Sequence, residues 1–553
     1  MGSNNWAHRI SRRGALKGAG IAAAGMAGAA LIGCGDDDDD DDDGGGGGGG
    51  GATGTPAGEP KKGGELIWGT LSNWESYNGP YTSSSVQSPN WSAFWDTLTK
   101  FGENSMAPEP HLAEAWSFND DQTQLQVTLR QGAEFHSGKP MDAAAVKGSF
   151  ELIDDEGVNN SQVKGTFSKY VESIDVVDNR TLTFNLAWPG PLIFDVFQYA
   201  HVHDPDALAA YTEDRTDPAG FEGASGPFKF DLDSFRAGET YRGVRHEAHY
   251  EPTLVDSIQF RVFQDASVLG LALDAGEIHA TNNATAADGI RWQDSGDLNL
   301  DIAPSGLAMW VMGMVLTGNG GGHPALDDPR VRKALYMAID RKRLSEETFQ
   351  GLADVKEFYW ETFSEAYDPE LDREHFDLDA AKALIDESGW AGEKIELSVT
   401  SGGDPNDDAI AAVIQADAAK IGIDLEIVLY DGAVRGPLFR GGTLPGTYIS
   451  SFAFYALQPE TLPVMNFQMR IPNSCAYDTP EYNAIIDGFG QQPTASERTD
   501  LHKQLNALYE AEAWVAPIVS RGYVWAWDKK LKNLTWDTLS IPFHSRYWLD
   551  EDA

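Results

Sequence analysis

The sequence predicts an α/β protein with more than one lobe, and three observations support that prediction. The chain has 553 residues, too many for one hydrophobic core, and at roughly 150 residues per domain it fits about two to four lobes. Apolar residues make up 41% and aromatic residues 11% of it, so there is ample material for burial. Helical and strand patterns alternate along its second half, which is typical of a lobe with a mixed or parallel sheet.

The net charge disfavours several classes of partner. Lys and Arg number 41 against 85 Asp and Glu, which gives a formal charge of −44. Such a chain repels phosphate backbones and anionic lipid headgroups, so nucleic-acid binding is disfavoured. Salt relieves the repulsion within the folded chain, because charges are screened beyond about 10 Å. The composition therefore favours a protein that works in high salt; an ordinary soluble acidic exoprotein is the alternative.

Residues 1–33 have the pattern of an export signal. Basic residues precede an apolar stretch at 18–32 that is too short to span a membrane. Ser11–Lys17 contains Arg12-Arg13 and resembles the twin-arginine motif, for which an ordinary secretory leader is the alternative. Leu31–Cys34 resembles a bacterial lipobox, in which the thiol of Cys34 is acylated and becomes the mature N-terminus. The sequence therefore predicts a lipoprotein.

A low-complexity segment follows the predicted lipidation site. Eight aspartates, Asp36–Asp43, precede eight glycines, Gly44–Gly51. The aspartates repel one another and the glycines have no side chains to bury, so residues 34–60 are predicted to be a disordered tether. Calcium binding by the aspartates is a disfavoured alternative. A lipid anchor with a tether places the folded body beside a membrane surface, which it contacts only through the lipid.

The first part of the body, which begins near Lys61, is dominated by strand patterns. A first strand is predicted at 64–69. Three later segments alternate apolar and polar residues with a period of two, as half-buried strands do. These segments are Leu125–Arg130, Leu182–Leu186 and Ser257–Phe263. The apolar run at 305–314 predicts a buried strand and, since it lies where the pattern changes, a hinge.

The second part alternates helices and strands. Asp328-Pro329 starts a helix whose apolar residues recur at the spacing of one helix face: Val331, Ala334, Leu335 and Ala338. A second helix from about Asp379 ends at Gly389, where a glycine cap is expected. The next predicted elements are a strand at 395–399, a helix at 410–421 that Gly422 stops, and a strand at 424–429.

Residues of catalytic or metal-binding type are not spaced as those sites require. Gly132–Lys139 has one residue too many for a phosphate loop, and Pro140 replaces the hydroxyl residue that binds magnesium. His246–His249 is one residue short of a zinc-binding His-Glu-x-x-His motif. His201–His203 could place two metal ligands on one side of a strand, but this is a weak signal for a metal site. The two cysteines, Cys34 and Cys475, are too few for a disulfide scaffold or a cysteine zinc cluster. The sequence predicts no catalytic residue, no metal site and no cofactor.

Six segments resemble one protein family in their order and spacing. They are Pro110–Trp116, Leu129–Pro140, Gly226–Phe230, Leu273–Ile278, Asp328–Arg341 and Ala381–Trp390. Over essentially all of residues 61–553 the chain resembles the family 5 extracellular solute-binding proteins, the oligopeptide-, dipeptide- and nickel-binding components of ABC importers. The resemblance implies an α/β bilobed clamshell of the periplasmic-binding-protein type (type II, large class). Lobe one is expected at 61–305 and 518–553, with a third subdomain inserted at about 90–220, and lobe two at 306–517.

The resemblance also implies a function. A monomeric receptor, lipid-anchored to the outer face of the cell membrane or periplasmic, captures a ligand by interlobe closure and delivers it to ABC transporter permease subunits. A peptide is the favoured ligand, and an oligosaccharide or another non-peptide solute is the alternative. An exported hydrolase is the remote alternative from a different class of function.

One departure from the family pattern bears on the ligand. Peptide binders of this family resemble one another in a Trp-x-Ala-Asp-Tyr-x-x-Pro stretch whose aspartate holds the peptide ammonium, and the matching position here is Tyr455. A neutral phenol cannot replace that charge, so either Glu460 or Glu75 substitutes for the aspartate or the ligand has no free amine. Aromatic side chains could instead stack on a sugar. The predicted ligand-binding residues are Trp74, Glu75, Trp360, Phe452, Phe454, Tyr455 and Glu460.

Overall fold

The structure is a computed structural model that describes residues 59–550 except 72–87, 104, 154–166, 169, 191, 208–221, 237, 304–307, 402–403, 405, 454–457, 492–494 and 521–522. The predicted export signal, the lipidation site Cys34 and all but the last two tether residues lie outside the described residues. Residues 57–553 belong to one unit. In the described ranges, no helix combines the length and apolar composition that crossing a bilayer requires.

The strands of the described chain are numbered in sequence order. They are β1 (Glu65–Thr70), β2 (Thr99–Gly102), β3 (Ser105–Pro110), β4 (Ala113–Phe118), β5 (Gln124–Leu129), β6 (Val171–Val176), β7 (Thr181–Leu186), β8 (Phe228–Phe230), β9 (Thr240–Arg245), β10 (Ser257–Val262), β11 (Ala280–Ala284), β12 (Asn299–Ala303), β13 (Ala308–Met314), β14 (Ile395–Thr400), β15 (Leu425–Tyr430), β16 (Gly446–Ala453), β17 (Val515–Ser520), β18 (Tyr523–Trp527), β19 (Leu531–Lys532) and β20 (Trp548–Leu549).

The described helices are identified by their bounds. They are Ser88–Trp91, Ala143–Glu151, Leu192–Tyr199, Ala266–Asp274, Ala286–Ser295, Pro329–Ala338, Arg341–Phe349, Leu378–Ser388, Asp407–Lys420, Gly432–Gly441, Leu462–Met465, Pro480–Phe489 and Ala495–Glu512. Short 3₁₀ helices add Leu232–Ser234, Thr317–Asn319, Pro324–Asp327 and Pro459–Thr461.

The first sheet has seven strands in the order β12-β18-β11-β1-β10-β9-β8. Its centre is parallel, since β1 pairs in parallel with β10 and β11, and the flanking pairs are antiparallel. The strand predicted at 64–69 is confirmed as β1, and its Leu66 and Trp68 are buried. The chain's last long strand, β18, lies between β11 and β12, so the end of the sequence completes this sheet.

The second sheet has five strands in the order β15-β14-β16-β13-β17. Its strand β13, which lies between β16 and β17, is buried at every position, as the apolar run predicts. The helix predicted after Asp328 is confirmed as Pro329–Ala338, because the Asp328 carboxylate accepts a hydrogen bond from the Arg330 N–H. The helix predicted to end at Gly389 does so, with that glycine in the left-handed region at φ 68°.

A third, antiparallel sheet, in the order β4-β5-β7-β6, is built from residues 113–186. Its strands β5 and β7 are those predicted at 125–130 and 182–186, and their inward-facing residues are buried. The helices Ala143–Glu151 and Leu192–Tyr199 contribute Phe150 and Phe197, whose rings contact Phe184 of β7 edge-on. These rings belong to the same hydrophobic core as Leu66 and Trp68 of β1, so the core of the insertion is continuous with that of the first sheet.

The chain passes between the first and second sheets twice. It leaves the first sheet after β12 and enters the second at β13, and it returns between β17 and β18. The return falls between Ser520, where β17 ends, and Tyr523, where β18 begins, and the predicted lobe boundaries stay a prediction. The two connections run side by side: in the first sheet they are attached to the paired strands β12 and β18, and in the second sheet to the paired strands β13 and β17. Two adjacent connections of this kind permit hinge motion between the sheets.

Candidate functional site

Two groups of predicted site residues follow the carboxyl ends of parallel strands. Trp74 and Glu75 come after β1, and Phe454 and Tyr455 come after β16. Ligands of open α/β sheets bind beyond such strand ends. These four residues lie outside the described residues. Phe452 is the penultimate residue of β16, where its backbone pairs with β13, and its side chain also lies outside the description. The ligand-binding role of all five stays a prediction.

Trp360 packs among aromatic side chains on the second-sheet side of the molecule. Its indole N–H donates a hydrogen bond to Asn506 Oδ1 at 2.6 Å. Its ring lies against that of Tyr509, with centroids 6.3 Å apart. Only 4% of the residue is exposed. Its described contacts are therefore those of a core residue, and a role in stacking on a ligand stays a prediction.

Glu460 is buried and engaged by two basic side chains. Its Oε1 accepts a hydrogen bond from the Arg498 guanidinium and lies 3.4 Å from His502 Nε2. Burial alone would raise the pKa of the carboxyl, but His502 and Arg498 outweigh it and lower that pKa overall. The carboxylate already has counter-charges within the protein. A role as the replacement for the missing aspartate stays a prediction, and it would compete with these contacts.

The structure places a pocket with a cavity volume of about 350 Å³ between the insertion and segments attached to the second sheet. One wall comes from β3 and from the helix Leu192–Tyr199, and the other comes from residues 363–365 and 458–459. The described lining residues are Met106, Ala107, Pro108, Phe194, Asp195, Phe363, Ser364, Glu365, Gln458 and Pro459. Most are apolar, with a few polar groups, as in small-molecule sites generally. This is the candidate ligand-binding pocket.

Asp195 joins the two walls of this pocket. Its Oδ2 accepts hydrogen bonds from the Gln458 N–H, at 2.9 Å, and from the Thr461 hydroxyl. Its Oδ1 is buried and has no hydrogen-bond partner in the described part of the chain. Burial, helped by the nearby Glu460 carboxylate, raises the pKa of Asp195 to about 7, although the two hydrogen bonds act to lower it.

Sequence reasoning missed Asp195. A usable signal was present, since the residue is the only charged one in the otherwise apolar segment Leu192–Tyr199. An acidic residue is rarely buried in a helix without a partner or a function. Its partners Gln458 and Thr461, however, are more than 260 residues away in the sequence.

A second polar cluster lies within the first-sheet side and centres on Asp96. His249 Nε2 is 3.2 Å and His111 Nε2 is 3.6 Å from Asp96 Oδ1. Burial opposes ionisation of Asp96, but the charge of His249 and its hydrogen bond, with His111, lower the pKa of the carboxyl overall. Across the described ranges, no three His, Cys, Asp or Glu side chains are arranged to hold a metal ion. The arrangement is that of a buried structural network.

Comparison with known families identifies the chain. The family profile described as "Bacterial extracellular solute-binding proteins, family 5 Middle" matches residues 107–469, more than half of the sequence. The chain belongs to this family. It is therefore an extracellular solute-binding protein, as the six sequence segments predict, and its family consists of binding proteins rather than enzymes.

Individual family 5 members show the same relationship. The chain is 27% identical over 456 residues to Di/tripeptide-binding protein 1 of Pseudomonas aeruginosa, covering 77% of this chain and 82% of that protein. It is 24% identical over 474 residues to Heme-binding protein A of Haemophilus influenzae, covering 80% and 83%. The ABC transporter-associated binding protein DppA of Helicobacter pylori, solved with the peptide STSA, matches with a TM-score of 0.75 at 21% identity, over 89% of this chain and 99% of that one. This likeness confirms the predicted type II clamshell fold.

Proposed function

We propose that this family 5 protein is the receptor of an ABC importer, which captures a peptide between its two lobes and presents the closed form to the permease. The observation that supports this most directly is the pocket of about 350 Å³, because its walls come from both sides of the hinge connections. A ligand shifts a receptor toward its closed state only if it binds that state more tightly, so it must contact both lobes.

A peptide is the ligand class that the observations favour. A relative that is 27% identical is named a di/tripeptide-binding protein. The pocket is of a size that suits a small ligand, and its apolar lining with a few polar groups suits side chains of mixed chemistry. The neutral residue at Tyr455 requires that another acidic group balance a peptide ammonium.

The proposal extends to where the receptor works. Export through the twin-arginine signal and acylation of Cys34 would hold the body at the outer face of the membrane by its flexible tether. Tethering raises the effective concentration of the receptor beside its permease, which accounts for the Asp/Gly-rich spacer. The charge of −44 suits a monomer in a salty extracytoplasmic medium, where screening weakens self-repulsion.

Native mass spectrometry of the mature chain, residues 34–553, purified gently in high salt, tests the ligand class. Clefts that close over a ligand retain it, so we expect a ladder of co-purifying masses that fragment into amino acids. The control is the same protein unfolded, dialysed and refolded, to which a tripeptide library should rebind and raise the unfolding temperature. A single co-purifying mass built of hexose units, with no response to peptides, would contradict the proposal.

A further inference from the structure

The candidate pocket has an uncompensated negative character. Two of its described lining residues are acidic, Asp195 and Glu365, and none is Lys, Arg or His. The rest of the lining is mostly apolar, including Phe194 and Phe363. Carboxylates facing apolar walls gain from a cation, because their charge is poorly solvated there.

Asp195 is the acidic group that the protein leaves least satisfied. It is 1% exposed, and both hydrogen bonds that it receives go to one oxygen, Oδ2. Its Oδ1 accepts none from the described residues. The acidic groups near Asp195, Glu460 and Glu365, repel its negative charge. The nearby cation, Arg498, forms an ion pair with Glu460 instead. A buried carboxylate oxygen without a partner is rare in folded proteins and calls for an explanation.

We propose that Asp195 binds a positively charged ammonium group of the ligand at the junction of the two lobes. This inference rests on the proposed function and names the chemical class that its pocket selects. Gln458 and Thr461 donate hydrogen bonds to Oδ2 from the second-sheet side. In the proposed cycle the ammonium reaches Oδ1 while these two hydrogen bonds are broken, and it is enclosed when they form again. In a peptide the ammonium is either the free α-amino group or a lysine side chain.

The same geometry makes ligand binding depend on pH. Burial, helped by Glu460, raises the pKa of Asp195 to about 7, although the hydrogen bonds from Thr461 and Gln458 act to lower it. An ammonium favours the ionised carboxylate and lowers that pKa again. Affinity should therefore fall as the pH drops below about 7, and binding near pH 6 should release protons.

Isothermal titration calorimetry on the mature chain, residues 34–553, can separate these contributions. The probes are trialanine, N-acetyl-trialanine, and an N-acetylated tripeptide with a central lysine. Of the two probes that carry an amine, trialanine and the lysine tripeptide, we expect the wild-type protein to prefer one over N-acetyl-trialanine. D195N should weaken binding of that preferred probe by about 10-fold to 100-fold, the range of a charge-assisted hydrogen bond. D195N should also abolish the preference itself.

Two matched controls separate the proposed role of Asp195 in binding the ligand from its role in joining the two walls of the pocket. T461V removes one donor to Asp195 but keeps its carboxylate, and E365Q removes the exposed acid of the same pocket. Both should retain the preference for an amine. Titration of the wild-type protein in buffers of different ionisation enthalpy measures the released protons and needs no variant, so misfolding of D195N would not end the test.

The outcomes distinguish this inference from the function on which it rests. An unchanged amine preference in D195N, an equal loss for amine and acetylated probes, or binding at pH 6 with no proton release would each overturn the role of Asp195. A wild-type protein that binds none of the three peptides would overturn the peptide-receptor proposal itself, and the inference with it.

Discussion

Replacing Arg498 with methionine should destabilise the protein by stranding the Glu460 carboxylate. The Glu460 side chain is 8% exposed and that of Arg498 is 19% exposed, so water can replace the lost cation only in part. Removing one partner of a buried ion pair costs about 3–5 kcal/mol. His502 stays 3.4 Å from the carboxylate, so we expect the lower end of that range, about 3 kcal/mol.

A double-mutant cycle with E460Q and R498M measures the interaction itself. Urea unfolding in 2 M salt, followed by tryptophan fluorescence, suits a chain of this size, because each 1 kcal/mol moves the unfolding temperature of even a 150–250-residue domain by only about 2–4 °C. We expect the double variant to be less destabilised than the sum of the single ones by about 1–3 kcal/mol. The difference should persist in high salt, since buried pairs are screened little.

The control for this cycle is an exposed ion pair. Lys394 and Asp424 lie 3.8 Å apart with side chains 55% and 65% exposed, so K394M should cost less than about 1 kcal/mol. The reasoning fails if E460Q unfolds at the wild-type urea concentration yet loses peptide binding. In that case Glu460 serves the ligand, as the sequence alone suggested, and its contact with Arg498 is incidental to stability.

Three further substitutions or treatments test the fold. G313A should destabilise the second sheet by about 1–3 kcal/mol in urea, because a Cβ at that position would stand 2.0 Å from Tyr448 Cζ. The control G432A should be near neutral, because its Cβ would lie 3.7 Å from its nearest neighbour. Cys475 is buried and burial raises its pKa to about 12, so in a chain without Cys34 a maleimide should label it only after unfolding, and native labelling would contradict that burial. Burial raises the pKa of Asp537 to about 7, so the wild-type protein loses stability as the pH rises from about 4 to 7. D537N keeps an acceptor for two backbone N–H groups; its free energy of unfolding should match that of the wild type at pH 4 and exceed it by roughly 2–4 kcal/mol at pH 8. Parallel pH profiles of the two proteins would refute this.

The elements that the sequence predicts correctly are those with local causes. The helix that starts after Asp328 and the helix that ends at Gly389 depend on a cap within a few residues. The strands β5 and β7 depend on an alternating pattern that one sheet face imposes. The helix Gly432–Gly441 is capped by Asp431 and Gly442, but its composition argues against a helix, since it contains Pro437 and several glycines. It is fixed by Arg435, which is buried and hydrogen-bonded to Ser398 and to the carbonyl of Ile449.

The candidate site could be located only coarsely from the sequence. The strand before Trp74 follows from its pattern, whereas the position of Tyr455 follows from the family resemblance alone and the strand before it, β16, is not predicted. The engagement of Glu460 by Arg498 depends on a helix that begins more than 30 residues later. The contact of Asp195 with Gln458 joins segments that are 263 residues apart in the sequence. Side-chain partners across a tertiary interface leave no periodic trace in a single sequence.

The insertion of β18 between β11 and β12 has a consequence for synthesis on the ribosome. The five strands of the second sheet lie within residues 308–520 and can pair as soon as that stretch has emerged. The first sheet begins at residue 65, but the place between β11 and β12 is filled only when residues 523–527 arrive. Domains usually fold in the order in which they are translated. Here the order is reversed: the half of the molecule made first is the last to be finished, and an incomplete chain exposes the unpaired edges of β11 and β12 to chaperones and proteases.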